Sequence, residues 1–217
     1  MAADHYFTAQ PSGEFVAKPL TVTLAGRSLD LQTAGGVFSP GGLDIGTHVL
    51  LTHVAAPPPS GDLLDLGCGW GPIALTLALE SPHATVWAVD VNERALELTR
   101  RNAETLGLTN VRAVTPDAVP DEVRFMAIWS NPPIRVGKNE LHGMLDLWLP
   151  RLREDADAWL VVSRNLGSDS LQRWMESRFA GHLAVSRAAT HKGFRVLKAR
   201  NRSGHTGPIT TVGRADS

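Results

Sequence analysis

The sequence predicts an α/β domain: a mostly parallel β-sheet with helices on both faces and an antiparallel hairpin at one edge. Three observations carry this. Short apolar runs alternate with helical periodicity from Leu63 to Met175, a pattern that requires a parallel sheet covered on both sides. A glycine turn, Asp65-Leu66-Gly67-Cys68-Gly69-Trp70-Gly71, joins the first such run to the first such helix. The final apolar runs, Leu183-Ala184-Val185 and Phe194-Arg195-Val196-Leu197, flank a short turn around Lys192-Gly193, which predicts an antiparallel pair.

The elements follow in order. Leu20-Thr21-Val22-Thr23-Leu24 and Leu29-Asp30-Leu31, joined by Ala25-Gly26-Arg27, read as an N-terminal hairpin extension within residues 1–35. Asp44 is an N-cap for a helix running to Val54, and Pro57-Pro58-Pro59 leads from it into the strand at Leu63-Leu64. Pro72 to Leu79 is a helix, Thr85 to Val89 a strand, and Asn92 to Leu106 a helix with Ala95, Leu98, Asn102 and Leu106 at helical spacing. Val111 to Val114 and Val123 to Trp129 are strands, Lys138 to Leu152 a helix, Trp159 to Val162 a strand, and Leu171 to Met175 lies in a helix. One domain over residues 1–200 accounts for all of these, and 201–217 is expected to be a flexible tail.

With 217 residues, 43% hydrophobic content and a net charge of −1, the chain has the composition of a single globular domain. No apolar run reaches the ~18 residues of a membrane span, and Met1 to His5 lacks the blocks of a signal peptide, so a cytoplasmic protein is expected. The single cysteine, Cys68, cannot form an internal disulfide. The histidines have no cysteine partners at zinc-like spacing, and His48 and His53 miss the i, i+4 alignment of two ligands on one helix, so no metal is expected.

The glycine turn stands where a strand meets a helix N-terminus. Glycines at alternating positions let the backbone approach a ligand, and the helix start offers free N–H groups to a carboxylate. Asp90 ends the next strand, where a carboxylate can accept from both hydroxyls of a ribose. A dinucleotide fingerprint would read G-x-G-x-x-G, whereas this chain has Gly67-x-Gly69-x-Gly71 followed by Pro72, which favours a methyl donor over NAD. Asp65 is positioned to receive that donor's α-ammonium.

Ser130-Asn131-Pro132-Pro133 ends another strand. Two prolines fix φ and remove two donors, leaving the Asn131 amide oxygen and the Pro132 carbonyl as acceptors in one cleft. Such a pair suits a planar NH2, whose lone pair it would aim at the methyl carbon. The two binding stretches lie at carboxyl ends of neighbouring strands, where open α/β sheets hold ligands.

The glycine turn, Asp90 and Asn131-Pro132-Pro133, in this order, resemble a class I S-adenosylmethionine-dependent methyltransferase. Gly36-Val37-Phe38-Ser39-Pro40-Gly41-Gly42-Leu43-Asp44-Ile45-Gly46-Thr47, Ser130 to Lys138, and Lys192 to Lys198 further resemble the small-subunit ribosomal RNA guanine-N2-methyltransferases, including single-domain archaeal-type members. The match runs from about His5 to Lys198.

This resemblance implies a Rossmann-like seven-stranded sheet and transfer of a methyl group to the exocyclic N2 of a guanine in small-subunit rRNA. It implies that Asp65, Gly67 and Gly69 hold the aminoacyl part of S-adenosylmethionine, Asp90 the ribose and Asp117 the adenine amino group, with Cys68, Gly71 and Val91 also among the cofactor-binding positions. Phe38, Asp44 and Thr47 would close over the methionine end, and Asn131, Pro132 and Pro133 would hold the target amine. Many methyltransferases that act on planar amines carry an aromatic where this chain has Ile134, so base stacking must come from elsewhere or be weaker. Methylation of a protein glutamine or of adenine N6, or a noncatalytic RNA-binding role, are the alternatives.

Charge is uneven along the chain. Residues 1–150 hold nine Lys/Arg against sixteen Asp/Glu, and 151–217 hold twelve against six. The basic end, with Arg187, Lys192, Arg195, Lys198, Arg200 and Arg202, is expected to join Ile134, Arg135 and Lys138 in facing ribosomal RNA or the small subunit. A solvated hairpin with outward-facing cations is the alternative. A monomer is expected, and His142 either faces the cleft or packs on its helix.

Overall fold

The computed structural model describes residues 15–134 and 137–202. The start of the N-terminal extension, Arg135 and the tail beyond Arg202 lie outside them. The elements are β1 (Ala17–Leu24), β2 (Arg27–Ala34), α1 (Ile45–His53), β3 (Ser60–Leu66), α2 (Pro72–Glu80), β4 (His83–Val89), α3 (Glu93–Thr105), β5 (Val111–Val114), β6 (Phe125–Ser130), α4 (Lys138–Trp148), β7 (Leu152–Ser163), α5 (Ser168–Arg178), β8 (Leu183–His191) and β9 (Phe194–Asn201).

Seven strands form one sheet in the order β5-β4-β3-β6-β7-β9-β8. The first five are parallel; β9 runs antiparallel to both β7 and β8. Alternation along each strand divides the core. Leu64, Leu66, Ile128, Leu160 and Val162 point to the side covered by α4 and α5, through Leu145, Trp148, Leu171, Met175 and Phe179. Leu63, Ala127, Trp129 and Val161 point to the opposite side, where Val49 and Leu50 of α1, Ile73 and Leu77 of α2, and Leu96 of α3 cover them.

The hairpin β1–β2 is a separate two-stranded sheet, turned by Ala25 and Gly26 at φ 47 and 72, the positive values a two-residue turn between twisted strands demands. Leu24 and Leu31 pack with Trp70, Leu75 and Leu98. Asn102 is buried in this apolar seam with its amide satisfied: Oδ1 accepts from Gln32 N at 2.7 Å, and Nδ2 donates to Gln32 O and to Trp70 O, each at 2.9 Å.

Boundaries differ from the sequence reading in four places. α4 ends at Trp148 and a single 3-10 turn follows, Leu149–Arg151, because Pro150 has no N–H for the next helical bond. β7 begins at Leu152, seven residues before the expected start, and a bulge separates the Leu152 pairing from the Asp157 pairing, with Asp155 at φ 59. β6 starts at Phe125 because Val123 closes a turn onto Pro120 O at 3.1 Å. β9 extends to Asn201, so the expected tail begins later than residue 201. Among the described residues no helix is long and apolar enough to cross a membrane.

Candidate active site

The three glycines of the turn have φ of 81, 57 and 99 at Gly67, Gly69 and Gly71, a region where a side chain is strained. Their surroundings separate them. A Cβ at Gly71 would lie 3.0 Å from Thr99 Oγ1, so this glycine allows α2 to pack on α3. At Gly67 and Gly69 the nearest atoms to a Cβ would be Pro133 Cδ and Phe38 Cβ, both at 3.9 Å. A Cβ at either would make only ordinary contacts, and both glycines line a cavity.

The turn is tied to the end of β4: Gly67 N and Cys68 N both donate to Val89 O, at 2.8 and 3.1 Å. Asp90 completes the tie, accepting from Gly69 N at 3.0 Å through Oδ2 and from Asn92 N at 2.9 Å through Oδ1. Burial pushes the Asp90 carboxyl up, and the N–H groups on it oppose that rise. Each oxygen keeps lone pairs for a ligand hydroxyl.

Asp65 and Cys68 do not border this space. Strand alternation turns Asp65 to the α2 side, where Oδ2 accepts from Ala74 N at 2.8 Å and fixes the first turn of that helix. Its Oδ1 is buried without a partner, and burial raises the carboxyl well above its ordinary range. Asp65 thus supports the cradle from beneath through the start of α2, and it does not line the cavity. Cys68 packs inward with Sγ 3.6 Å from Thr99 Oγ1, and burial pushes its thiol up, the reverse of what a nucleophile requires.

The second wall begins where β3 and β6 end side by side. Leu66 pairs with Ser130, and Ser130 Oγ donates to Leu66 O at 2.7 Å. Asn131 follows, and its Nδ2 donates to Asp44 Oδ2 at 2.9 Å and Thr47 Oγ1 at 3.0 Å. Because a carboxylate only accepts, the amide nitrogen must face Asp44, which leaves Asn131 Oδ1 turned the other way as an acceptor. Asp44 Oδ2 also accepts from Thr47 N at 3.1 Å as the N-cap of α1. Asp44 and Thr47 therefore orient the asparagine; the sequence reading had them closing over a cofactor. Pro132 O already accepts from Ile134 N at 2.9 Å, and its second lone pair is what remains for a ligand.

Both walls open onto one cavity of about 720 Å³. Phe38, Gly67, Gly69, Asp90, Val91 and Pro116 line one part; Asn131, Pro132, Pro133, Ile134, Ser163 and Phe194 line another. Asp44 also reaches its wall. The α4 side adds Glu140, Gly143, Met144, Leu147 and Trp148, a stripe at i, i+3, i+4, i+7 and i+8 that the sequence reading did not single out although its spacing is that of one helix face. Phe194 supplies a ring where Ile134 does not.

Several expected residues fall elsewhere. Asp117 is exposed on a 3-10 turn, where the Thr115 hydroxyl lowers its carboxyl, and it is the preceding Pro116 that lines the cavity. His142 stacks on Trp174 with ring centroids 3.7 Å apart and planes within 5°. Lys138 and Lys192 are exposed and outside the cavity wall. Arg195 pairs with Asp169 and is 11% exposed. Arg187 also pairs with Asp169, Lys198 with Asp157, and Arg200 with both Asp155 and Asp157. Three aspartates thus neutralise much of the basic face expected from the charge count.

The glycine cradle fits a nucleoside-bearing ligand with an extended arm: two Cβ-free positions line the cavity, a carboxylate stands at the end of β4, and Phe38, whose Cβ is the nearest neighbour of a Cβ built at Gly69, lines the same wall. This strand order with its paired cradle and asparagine-proline corner is that of a class I methyltransferase. A family model for the methyltransferase small domain matches residues 28–198. The chain belongs to that family. The Bacillus subtilis protein described as uncharacterized protein YbxB is 33% identical over 201 residues, covering 91% of this chain and 98% of its relative. The ribosomal RNA small subunit methyltransferase C of Stutzerimonas stutzeri is 33% identical over 151 residues, 69% of this chain. The chain spans only 45% of that relative's length. The solved structure of the T. thermophilus 16S rRNA N2 G1207 methyltransferase (RsmC), in complex with AdoMet and guanosine, superposes with a TM-score of 0.74 at 24% identity, over 86% of this chain and 51% of that one.

Proposed function

We propose that this protein is an S-adenosylmethionine-dependent RNA methyltransferase that modifies the exocyclic N2 of a guanine in small-subunit ribosomal RNA. The observation that carries the reading is the Asn131 amide, held by Asp44 and Thr47 with its oxygen unpaired among the described residues, beside a glycine cradle on the adjacent strand. Membership of the family and likeness to the RsmC proteins support it.

Gly67 and Gly69 would hold the aminoacyl arm, Asp90 the ribose hydroxyls, and Val91 and Pro116 the sides of the adenine. When bound, S-adenosylmethionine supplies an electrophilic methyl on sulfur: the N2 lone pair forms the new C–N bond, the C–S electron pair stays on sulfur, and one N2 proton passes to water. Asn131 Oδ1 and the free lone pair of Pro132 O accept the two hydrogens of a planar amine. They thereby turn its lone pair toward the cradle and stabilise the charge that develops on nitrogen. Guanine N2 is weakly basic, so its proton departs late and no side chain is needed as a base.

Two measurements test this. Calorimetric titration should show S-adenosylmethionine binding equally to wild type and to Asn131→Ala, with turnover lost in the variant. Methyl transfer to undermethylated small subunits, followed by nucleoside analysis, should yield N2-methylguanosine. N6-methyladenosine or labelled protein in its place would overturn the assignment.

A further inference from the structure

Three carboxylates line the cavity: Asp44, Asp90 and Glu140. Asp44 is occupied by Asn131 and the start of α1, and Asp90 by two backbone N–H groups. Glu140 differs. It makes no hydrogen bond or ion pair among the described residues, and it stands at the third position of α4, on the face that turns Gly143, Met144 and Leu147 to the cavity. Its carboxylate folds back over the loop, since a Cβ built at Gly137 would lie 2.6 Å from Glu140 Oε2. It is therefore an exposed carboxylate with no partner among the described residues, on the wall of the cavity and at the start of the helix that follows the Asn131-Pro132-Pro133 loop.

Guanine presents two adjacent donors on its Watson–Crick edge, N2–H and N1–H, whereas adenine presents a lone pair at N1. If the two N2 hydrogens go to Asn131 Oδ1 and Pro132 O, N1–H still needs a partner, and it must be an acceptor beside them. We propose that Glu140 is that partner: a specificity-determining residue whose carboxylate accepts from guanine N1–H and repels the N1 lone pair of adenine. This rests on the function proposed above and deepens it. A purely structural role for Glu140, complementing the positive end of α4, would be blind to the identity of the base.

Calorimetry with S-adenosylhomocysteine present compares guanosine with 2-aminopurine riboside, which keeps the 2-amino group but carries a lone pair at N1. Wild type should prefer guanosine by about tenfold or more, the range of a hydrogen bond to a charged group. Glu140→Ala should abolish the preference, and Glu140→Gln, whose amide can donate to N1, should erase or invert it. An unchanged preference in both variants overturns the role of Glu140, as does failure of wild type to bind guanosine. Nucleoside analysis after methyl transfer by wild type separates the two layers. N2-methylguanosine formed by an enzyme whose variants keep the guanosine preference defeats Glu140 alone; absence of N2-methylguanosine defeats the proposed reaction and the base assignment with it.

Discussion

Replacing Asp44 by Ser separates two duties that meet on one oxygen. Asp44 Oδ2 accepts from Thr47 N at 3.1 Å as a helix cap and from Asn131 Nδ2 at 2.9 Å. Serine caps nearly as well as aspartate, so α1 should hold and the melting temperature should stay close to that of wild type. The shorter, uncharged side chain gives up the charge-assisted bond to Asn131, a loss of about 1.5–3 kcal/mol. If that bond serves only to aim the amide oxygen, the loss appears in turnover as about a ten- to hundredfold fall in kcat. The affinity for S-adenosylmethionine, read by calorimetry, should be unaffected. The double variant with Asn131→Ala should be no slower than Asn131→Ala alone, because the two side chains act as one unit. Additive losses in that cycle, or a donor affinity that falls in step with kcat, would refute the orienting role.

Gly71→Ala should lower stability by about 2 kcal/mol in chemical denaturation, since its φ of 99 and a 3.0 Å approach to Thr99 both oppose a Cβ. Gly67→Ala meets no crowding but is still strained at φ 81, so it should destabilise less than Gly71→Ala while weakening donor binding more. Asp65 carries a pH signature: burial raises its folded pKa above the ordinary 3.8, so its contribution to stability is complete below 3.8 and is lost as pH climbs through the raised value. Asp65→Asn, which keeps an acceptor for Ala74 N, should flatten that decline in a pH series of unfolding curves; an unaltered slope would contradict the assignment. Phe194→Leu should raise KM for RNA about fivefold or more through lost base stacking, with S-adenosylmethionine affinity preserved. Lys198→Ala should leave the salt dependence of RNA binding unchanged, because Asp157 already neutralises Lys198, whereas a free cation would lower the slope by about one.

Local signals were readable because their physics is local. Asp44 as a cap, Pro72 at the start of α2 and Asn92 before α3 each declare a helix start by the bonds their own side chains or rings allow. The glycine cradle and the asparagine-proline corner were visible as strand-end motifs, and the β3–β6 pairing brings them together. What could not be read involves distance or compensation. Nothing near Asn131 in sequence announces that residues 87 and 84 positions earlier fix its amide. Asp65 was assigned to a ligand because it precedes the first glycine, but the pleat sends it to the helix side. The basic end of the chain looked exposed because net charge counts signs without neighbours, and Asp155, Asp157 and Asp169 pair with those cations only once β7, α5 and β9 meet. Glu140 was legible in principle from the helical spacing of the residues that accompany it.

The amide of Asn102 grips the backbone of β2 and the carbonyl of Trp70 at once. An isolated two-stranded ribbon is barely stable in water, yet here one of its strands shares an anchor with the glycine bend at Trp70. Trimming the protein back to its first core strand would leave the Trp70 oxygen held by a residue that has itself lost its other hold. What resembles an ornament at the front of the molecule is, by this linkage, a brace for the glycine cradle.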